Sequence, residues 1–201
     1  MSYLYANTNM HIFDDVMEPG IDLIEMRLND TVWRIPDYLS VNGILRLSIN
    51  DKVNPANLPP STAIIYNRNL YLTDEKGKVA FIDCQLKKIE NIKDIRKSHP
   101  EYHSVGGKNA THPNMDAGHF GLALGQHPSI AMEQNSTMNR YGIWRVFERY
   151  WSELSENEPV HIIGVFTEGD DEGTYSPFWC IREEYDGGVF EYVFTNDDEQ
   201  S

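Results

Sequence analysis

The stretch STMNRYGIWRVFERYWSEL, residues 136–154, is patterned for a helix in a chain whose other apolar runs are patterned for strands. Ile143, Phe147 and Tyr150 or Trp151 recur every three to four residues and give one apolar stripe, with Arg145, Glu148 and Arg149 on other faces. Ser136 or Thr137 could cap its start. Trp144, Phe147, Tyr150 and Trp151 are expected in the core rather than as base-stacking residues. Before the helix, β-branched and aromatic runs flank the turn-forming DEKG in TAIIYNRNLYLTDEKGKVAFIDCQLKKI, residues 62–89, which predicts two antiparallel strands. After it, PVHIIGVF, YSPFWCIREEY and GVFEYVFTN read as strands, the last two joined by DGG. The expected fold class is α+β.

Punctuation sets the organisation. NDKVNPANLPPS, residues 50–61, concentrates Asn, Asp and Pro and reads as a linker. Residues 1–60 are expected to form an N-terminal extension or small subdomain of unknown role, and residues 61–201 one domain. Within the extension, GIDLIEMRL and VNGILRLSI are short apolar stretches without a sustained period. Residues 91–118 are polar and rich in His, Gly, Asn and Pro, which predicts a long irregular segment of the kind that carries function.

Acidic residues number 31 against 17 basic, a formal net charge of −14. This sits awkwardly with a nucleic-acid partner, because phosphate contacts leave a basic footprint. A basic groove can nonetheless coexist with acidic surfaces elsewhere, such as the tail TNDDEQS. No apolar run is long enough to span a bilayer, so no membrane partner is expected, and the first residues lack the pattern of a conventional signal peptide. Cys84 and Cys180 lie in strand-like surroundings without zinc or redox spacing and are expected to be buried free thiols.

The chemistry concentrates in MDAGHFG, residues 115–121, and the start of the helix. His119 can act as general base, since imidazole titrates near neutrality. An Asn amide oxygen is a hard ligand suited to Mg²⁺. A glutamate can order bound water, and an arginine can grip phosphate oxygens with forked hydrogen bonds. Base, metal and cation together are the parts for phosphodiester hydrolysis. His99, His103 and His112 could suggest zinc, but Pro100 interrupts HPEYH and a fourth ligand is missing, so a loop is expected.

DAGH followed by QNSTMNRYGIWRVFERYW resembles the D-x-G-H and Q-N-x-x-x-N-R-x-x-W-x-x-x-E pattern of the DNA/RNA non-specific endonucleases, in particular their bacterial polymorphic-toxin branch. The resemblance covers roughly residues 61–196. It implies a ββα-metal nuclease core with a mixed or antiparallel sheet, and a delivered antibacterial toxin that cleaves DNA, with RNA as a second substrate. It implies one Mg²⁺, replaceable by Mn²⁺, on Asn139. His119 becomes the general base, Glu148 the group ordering water, and Arg140 a phosphate-side residue. Asp116 positions the histidine-bearing turn, and Gly118 permits its tight backbone. A cognate immunity protein is the implied partner, and the target-cell cytoplasm the implied site of action.

Three positions depart from the pattern. Ala117 stands where the secreted enzymes carry Arg, Ile130 stands where an Asn is usual, and Asn139 to Trp144 spans five residues instead of four. On a regular helix the added residue turns Glu148 by about 100° relative to Asn139. The alternatives are a degraded homologue that binds without cleaving, and an acidic structural partner in which His119 and Asn139 lie apart.

Overall fold

The computed structural model describes residues 10–12, 23–28, 30–119, 124–167 and 173–196. Strands β1 (Met10–Ile12), β2 (Ile24–Leu28), β3 (Thr31–Ile35), β4 (Gly43–Arg46), β5 (Thr62–Tyr66), β6 (Asn69–Thr73) and β7 (Val79–Leu86) precede helix α1 (Ile92–Ser98). Then come β8 (Met115–Gly118), β9 (Met132–Asn135), α2 (Ser136–Arg140), α3 (Ile143–Leu154), β10 (Val160–Phe166), β11 (Phe178–Tyr185) and β12 (Gly188–Thr195). The fold is α+β, as the sequence pattern predicts. Eight strands form one sheet in the order β1-β12-β11-β10-β7-β6-β5-β4, while β2–β3 and β8–β9 are separate two-stranded ribbons. Among the described residues only β4 and β5 pair in parallel within the main sheet.

Turn chemistry accounts for the hairpins. The β6–β7 turn is the expected DEKG, where Asp74 Oδ1 accepts from the Lys76 and Lys78 amides at 2.8 and 2.9 Å. Asp186 and Gly187, with φ of 48° and 74°, join β11 to β12 in the left-handed conformations that a two-residue hairpin loop favours. The segment from residue 62 to 86 holds three strands rather than two. Asn67, at φ 53°, supplies an additional turn inside NRN.

Period-two alternation divides the sheet residues between two faces. Ile64, Tyr71, Ile82, Cys84, Ile162, Trp179, Ile181 and Phe194 pack on one face with Trp144, Phe147 and Trp151 of α3. Trp144 is fully buried, with its ring centroid 5.0 Å from Trp179 and 5.1 Å from Phe194 in edge-to-face contacts. Burying each such ring stabilises the fold by about 2–3 kcal/mol. Tyr150 is the exception to the expected aromatic core: it is 39% exposed and its hydroxyl donates to buried Glu183 at 3.1 Å.

On the other face, Ala63, Leu70, Leu72, Phe81 and Ile163 pack against Leu28 and Ile35 of the β2–β3 ribbon. Arg34 of β3 reaches both oxygens of Glu184 at 2.9 Å, and His161 bridges Glu184 and Asp83 at 3.0 and 2.7 Å. The N-terminal extension therefore supplies the edge strands β1 and β4 of the main sheet and a ribbon over one face.

Cys84 is buried and Cys180 half-buried, both as free thiols. The polar segment 91–118 is less irregular than its composition suggests, since it holds α1, two short 3₁₀ turns and β8. The tail TNDDEQS beyond Asn196 lies outside the described residues. No described helix is long and apolar enough to cross a membrane.

Candidate active site

Every proposed site residue lies in the connection between β7 and β10, laid over the helix-bearing face of the sheet. Strand β8 pairs antiparallel with β9, matching Met115 with Asn135, Asp116 with Gln134, Ala117 with Glu133 and Gly118 with Met132. Two glycines allow the close packing. A Cβ on Gly118 would lie 2.4 Å from the Gln134 Cβ. Gly106, at φ +72°, presses on the β8 backbone, where a Cβ would meet the Asp116 carbonyl carbon at 2.1 Å.

Asn135 ends β9 and caps α2, its Oδ1 accepting from the Thr137 and Met138 amides at 2.9 and 3.0 Å. It takes the capping role expected of Ser136 or Thr137, because an Asn in extended backbone just before the first turn points its oxygen at those amides. Asn139, one turn on, is not a cap. Its Nδ2 donates to Asp116 Oδ2 at 3.3 Å. An ionised carboxylate only accepts, so the amide nitrogen faces Asp116 and the carbonyl oxygen Oδ1 is the ligand-forming end. Arg140 grips the same carboxylate with Nε and Nη2, each at 2.6 Å. Burial draws the Asp116 carboxyl upward, but hydrogen bonds from Arg140, Asn139 and Ser136 outweigh this and hold it below the usual carboxylate range.

His119 follows β8 directly and is 9% exposed. Its Nε2 is 3.2 Å from the Pro128 carbonyl oxygen. A carbonyl cannot donate, so Nε2 carries a proton, and in a neutral ring Nδ1 would be the basic nitrogen. The His119 carbonyl in turn accepts from the Trp144 indole at 3.3 Å, which ties the histidine to the first turn of α3.

The helix expected over residues 136–154 forms as two pieces, α2 and α3. Tyr141 and Gly142 interrupt the predicted helix, and a Cβ at Gly142 would sit 2.9 Å from the Met138 Cα. The restart lets Trp144 face the core beside His119 and sets Glu148 one turn later. Glu148 is 19% exposed and lies 3.5 Å from Arg145. Burial pushes its carboxyl up to about 7, against the pull of Arg145, Arg96 and the Trp144 indole. Asp116, Asn139 and Arg140 are therefore in direct contact, whereas His119 and Glu148 are linked to each other through Trp144.

The sequence reading assigned no role to Gln134, Glu133 or Asn196. Gln134 is fully buried against Gly118, and among the described residues neither end of its amide finds a hydrogen-bond partner. An amide so placed, cross-strand from Asp116, is an unused donor and acceptor at the site. Asn196 is also fully buried and joins the ribbon to the main sheet: its Oδ1 accepts from Asn135 N at 2.8 Å, and its Nδ2 donates to the Glu133 and Ser176 carbonyls at 2.8 and 3.0 Å. The available signal for Glu133 and Gln134 was the polar run EQN directly after the apolar IAM.

Neither Ile130 nor His99 adds to the site. Ile130 is 1% exposed in the core. His99 is fully buried, pairing with Glu101 through Nδ1 and with the Ile49 carbonyl through Nε2. Among the described residues no three His, Cys, Asp or Glu side chains form a metal-binding group. A cleft of about 490 Å³, lined by residues including Tyr38, Lys76, Phe166 and Tyr175, touches none of the five proposed residues. A functional reading therefore rests on the chemistry of the Asp116–Asn139–Arg140 cluster and the neighbouring histidine. No protein-family model matches the chain, and no curated protein matches it.

Proposed function

We propose that this chain is a Mg²⁺-dependent nuclease with a ββα-metal core, hydrolysing phosphodiester bonds of DNA and, as a second substrate, RNA with little sequence preference. The observation that carries the reading is the orientation of two groups on adjacent elements. The Asn139 amide is turned by Asp116 so that its oxygen is the ligand end, and the His119 ring is held by Pro128 so that Nδ1 is its basic nitrogen.

The donor set suits Mg²⁺. Asn139 offers a hard oxygen, and a small cation that keeps most of its waters needs few protein ligands. Bound there, the ion would stabilise negative charge developing on the phosphate. His119 would take the proton of the attacking water at Nδ1 while Nε2 stays on the Pro128 carbonyl, which fixes the ring. Trp144 and Glu148 would keep the histidine backbone and nearby water in register. Arg140, 57% exposed while anchored on Asp116, would meet the phosphate.

The test is plasmid cleavage with Mg²⁺ and with EDTA, by wild-type protein and by Asn139→Ala. Cleavage that needs the ion and falls at least about a hundredfold in the variant supports the assignment. EDTA-resistant cleavage, or an Asn139→Ala variant as active as wild type, overturns it.

One observation favours a second reading, a homologue that binds a partner without cleaving. Arg140 and Arg145 both engage acids of the chain itself. An intact fold that fails to cleave with any divalent ion selects this alternative. On the nuclease reading the biological role is that of an antibacterial toxin delivered into a target cell and neutralised by a cognate immunity protein.

A further inference from the structure

The acidity of the chain is uneven. Residues 87–97 hold five of its 17 basic residues and only two of its 31 acids, a net charge of +3 within a chain of −14. Lys87 and Lys88 follow β7 directly, Lys93, Arg96 and Lys97 belong to α1, and all five are exposed. Ile95 is buried and fixes the inner side of α1, while Lys93, Arg96 and Lys97, spaced i, i+3 and i+4, share an outer side. Like charges at that spacing destabilise a helix unless something negative lies over them. Among the described residues only Lys88 of the five forms an ion pair, with Glu156 at 3.0 Å. Glu101, the acid just past the helix, is engaged by His99 at 2.6 Å. A helix C-terminus attracts Arg96 and Lys97, but it gives no reason for Lys87 or Lys93.

This basic segment is tied to the candidate site. The Lys87 amide donates to the Leu124 carbonyl at 2.9 Å. His99, which ends α1, lies ring to ring with His127 at 5.3 Å, and the next residue, Pro128, holds His119. The Arg96 charge also stands close enough to Glu148 to draw its carboxyl downward. A polyanionic substrate needs local cations, and Arg140 and Arg145 are each engaged by an acid. We propose that Lys87, Lys93, Arg96 and Lys97 form a docking surface for the phosphate backbone of nucleic acid, on which the substrate lies as it reaches the site. The inference rests on the nuclease reading, and charge complementarity selects the occupant: an unpaired row of cations fits a regular row of phosphates.

The experiment uses the full chain in a His119→Ala background, so that substrate survives, and measures binding of a short fluorescein-labelled DNA duplex by anisotropy over a range of salt. Three double variants are compared with this parent: Lys93→Gln with Lys97→Gln, the charge-keeping Lys93→Arg with Lys97→Arg, and, as a control of equal charge change, Arg27→Gln with Arg46→Gln, exposed residues of β2 and β4. The expected result is a Kd about tenfold weaker for the Lys93 and Lys97 glutamine variant, with the slope of log Kd against log salt smaller by about two. The arginine variant and the control should match the parent. Unchanged affinity and slope in the glutamine variant overturn the inference, and are the result expected if α1 takes an acidic protein instead. Equal losses in the glutamine variant and the control overturn it too, since they mark an effect of net charge alone. The nuclease reading fails separately, through a wild-type chain that cleaves no plasmid with any divalent ion, and a parent that binds no duplex at low salt overturns both.

Discussion

Replacing Glu148 with Gln removes a carboxyl that the fold holds in an unfavourable charge state, and the size of the effect follows from its surroundings. The side chain is 19% exposed, and burial raises its carboxyl from the ordinary 4.5 to about 7. The folded protein thus binds the Glu148 proton more tightly than the unfolded chain does, so the group opposes folding wherever the unfolded carboxyl is ionised. Below pH 4.5 the penalty vanishes; it grows through the window between 4.5 and 7 and is complete above it. At about 1.4 kcal/mol per pH unit the cost is about 3 kcal/mol at pH 8 and under about 1 kcal/mol at pH 5. Gln keeps the shape and part of the hydrogen bonding to Arg145 without the charge. Thermal unfolding in EDTA should therefore show Glu148→Gln melting about 6–12 °C above wild type at pH 8, and within a few degrees of it at pH 5. Equal shifts at the two pH values, or a lower melting point for the variant at pH 8, would refute the reasoning and mean that Arg145 and Arg96 hold the carboxylate in its charged form.

Two further substitutions test the scaffold. Gly106→Ala places a methyl against the β8 backbone at a φ of +72° and should cost about 2–4 kcal/mol in chemical denaturation, whereas the same change at Gly107, where a Cβ meets nothing within 4 Å, should cost about 1 kcal/mol from its φ alone. Asn196→Ala leaves an amide and two carbonyls of the ribbon and its neighbour without their partner, and should cost about 2–4 kcal/mol, with faster amide exchange at Asn135 by hydrogen–deuterium measurement.

The helix, the strands after it and the DEKG hairpin were legible because each is a local pattern: a stripe, an alternation, a turn of known composition. Other elements depended on interactions between distant segments. Asn67 opened an additional hairpin by taking a positive φ, which Asn tolerates but does not announce. The break at Tyr141–Gly142 interrupts a stretch patterned as one helix, and beyond it Trp144 packs against Trp179 and Phe194. At the site, Asp116, Asn139 and Arg140 were named from the sequence and lie in contact. Gln134, Glu133 and Asn196 were missed because burial of a polar side chain is a property of the assembled ribbon and cannot be read from a four-residue strand.

The most direct measurement is the initial rate of plasmid cleavage at neutral pH in Mg²⁺ by wild type and His119→Ala, each verified as folded by its melting curve. If His119 Nδ1 accepts the proton of the attacking water, the variant loses activity by about 10²–10⁴-fold at unchanged Mg²⁺ dependence. A His119→Ala protein that cleaves within twofold of the wild-type rate would contradict the account.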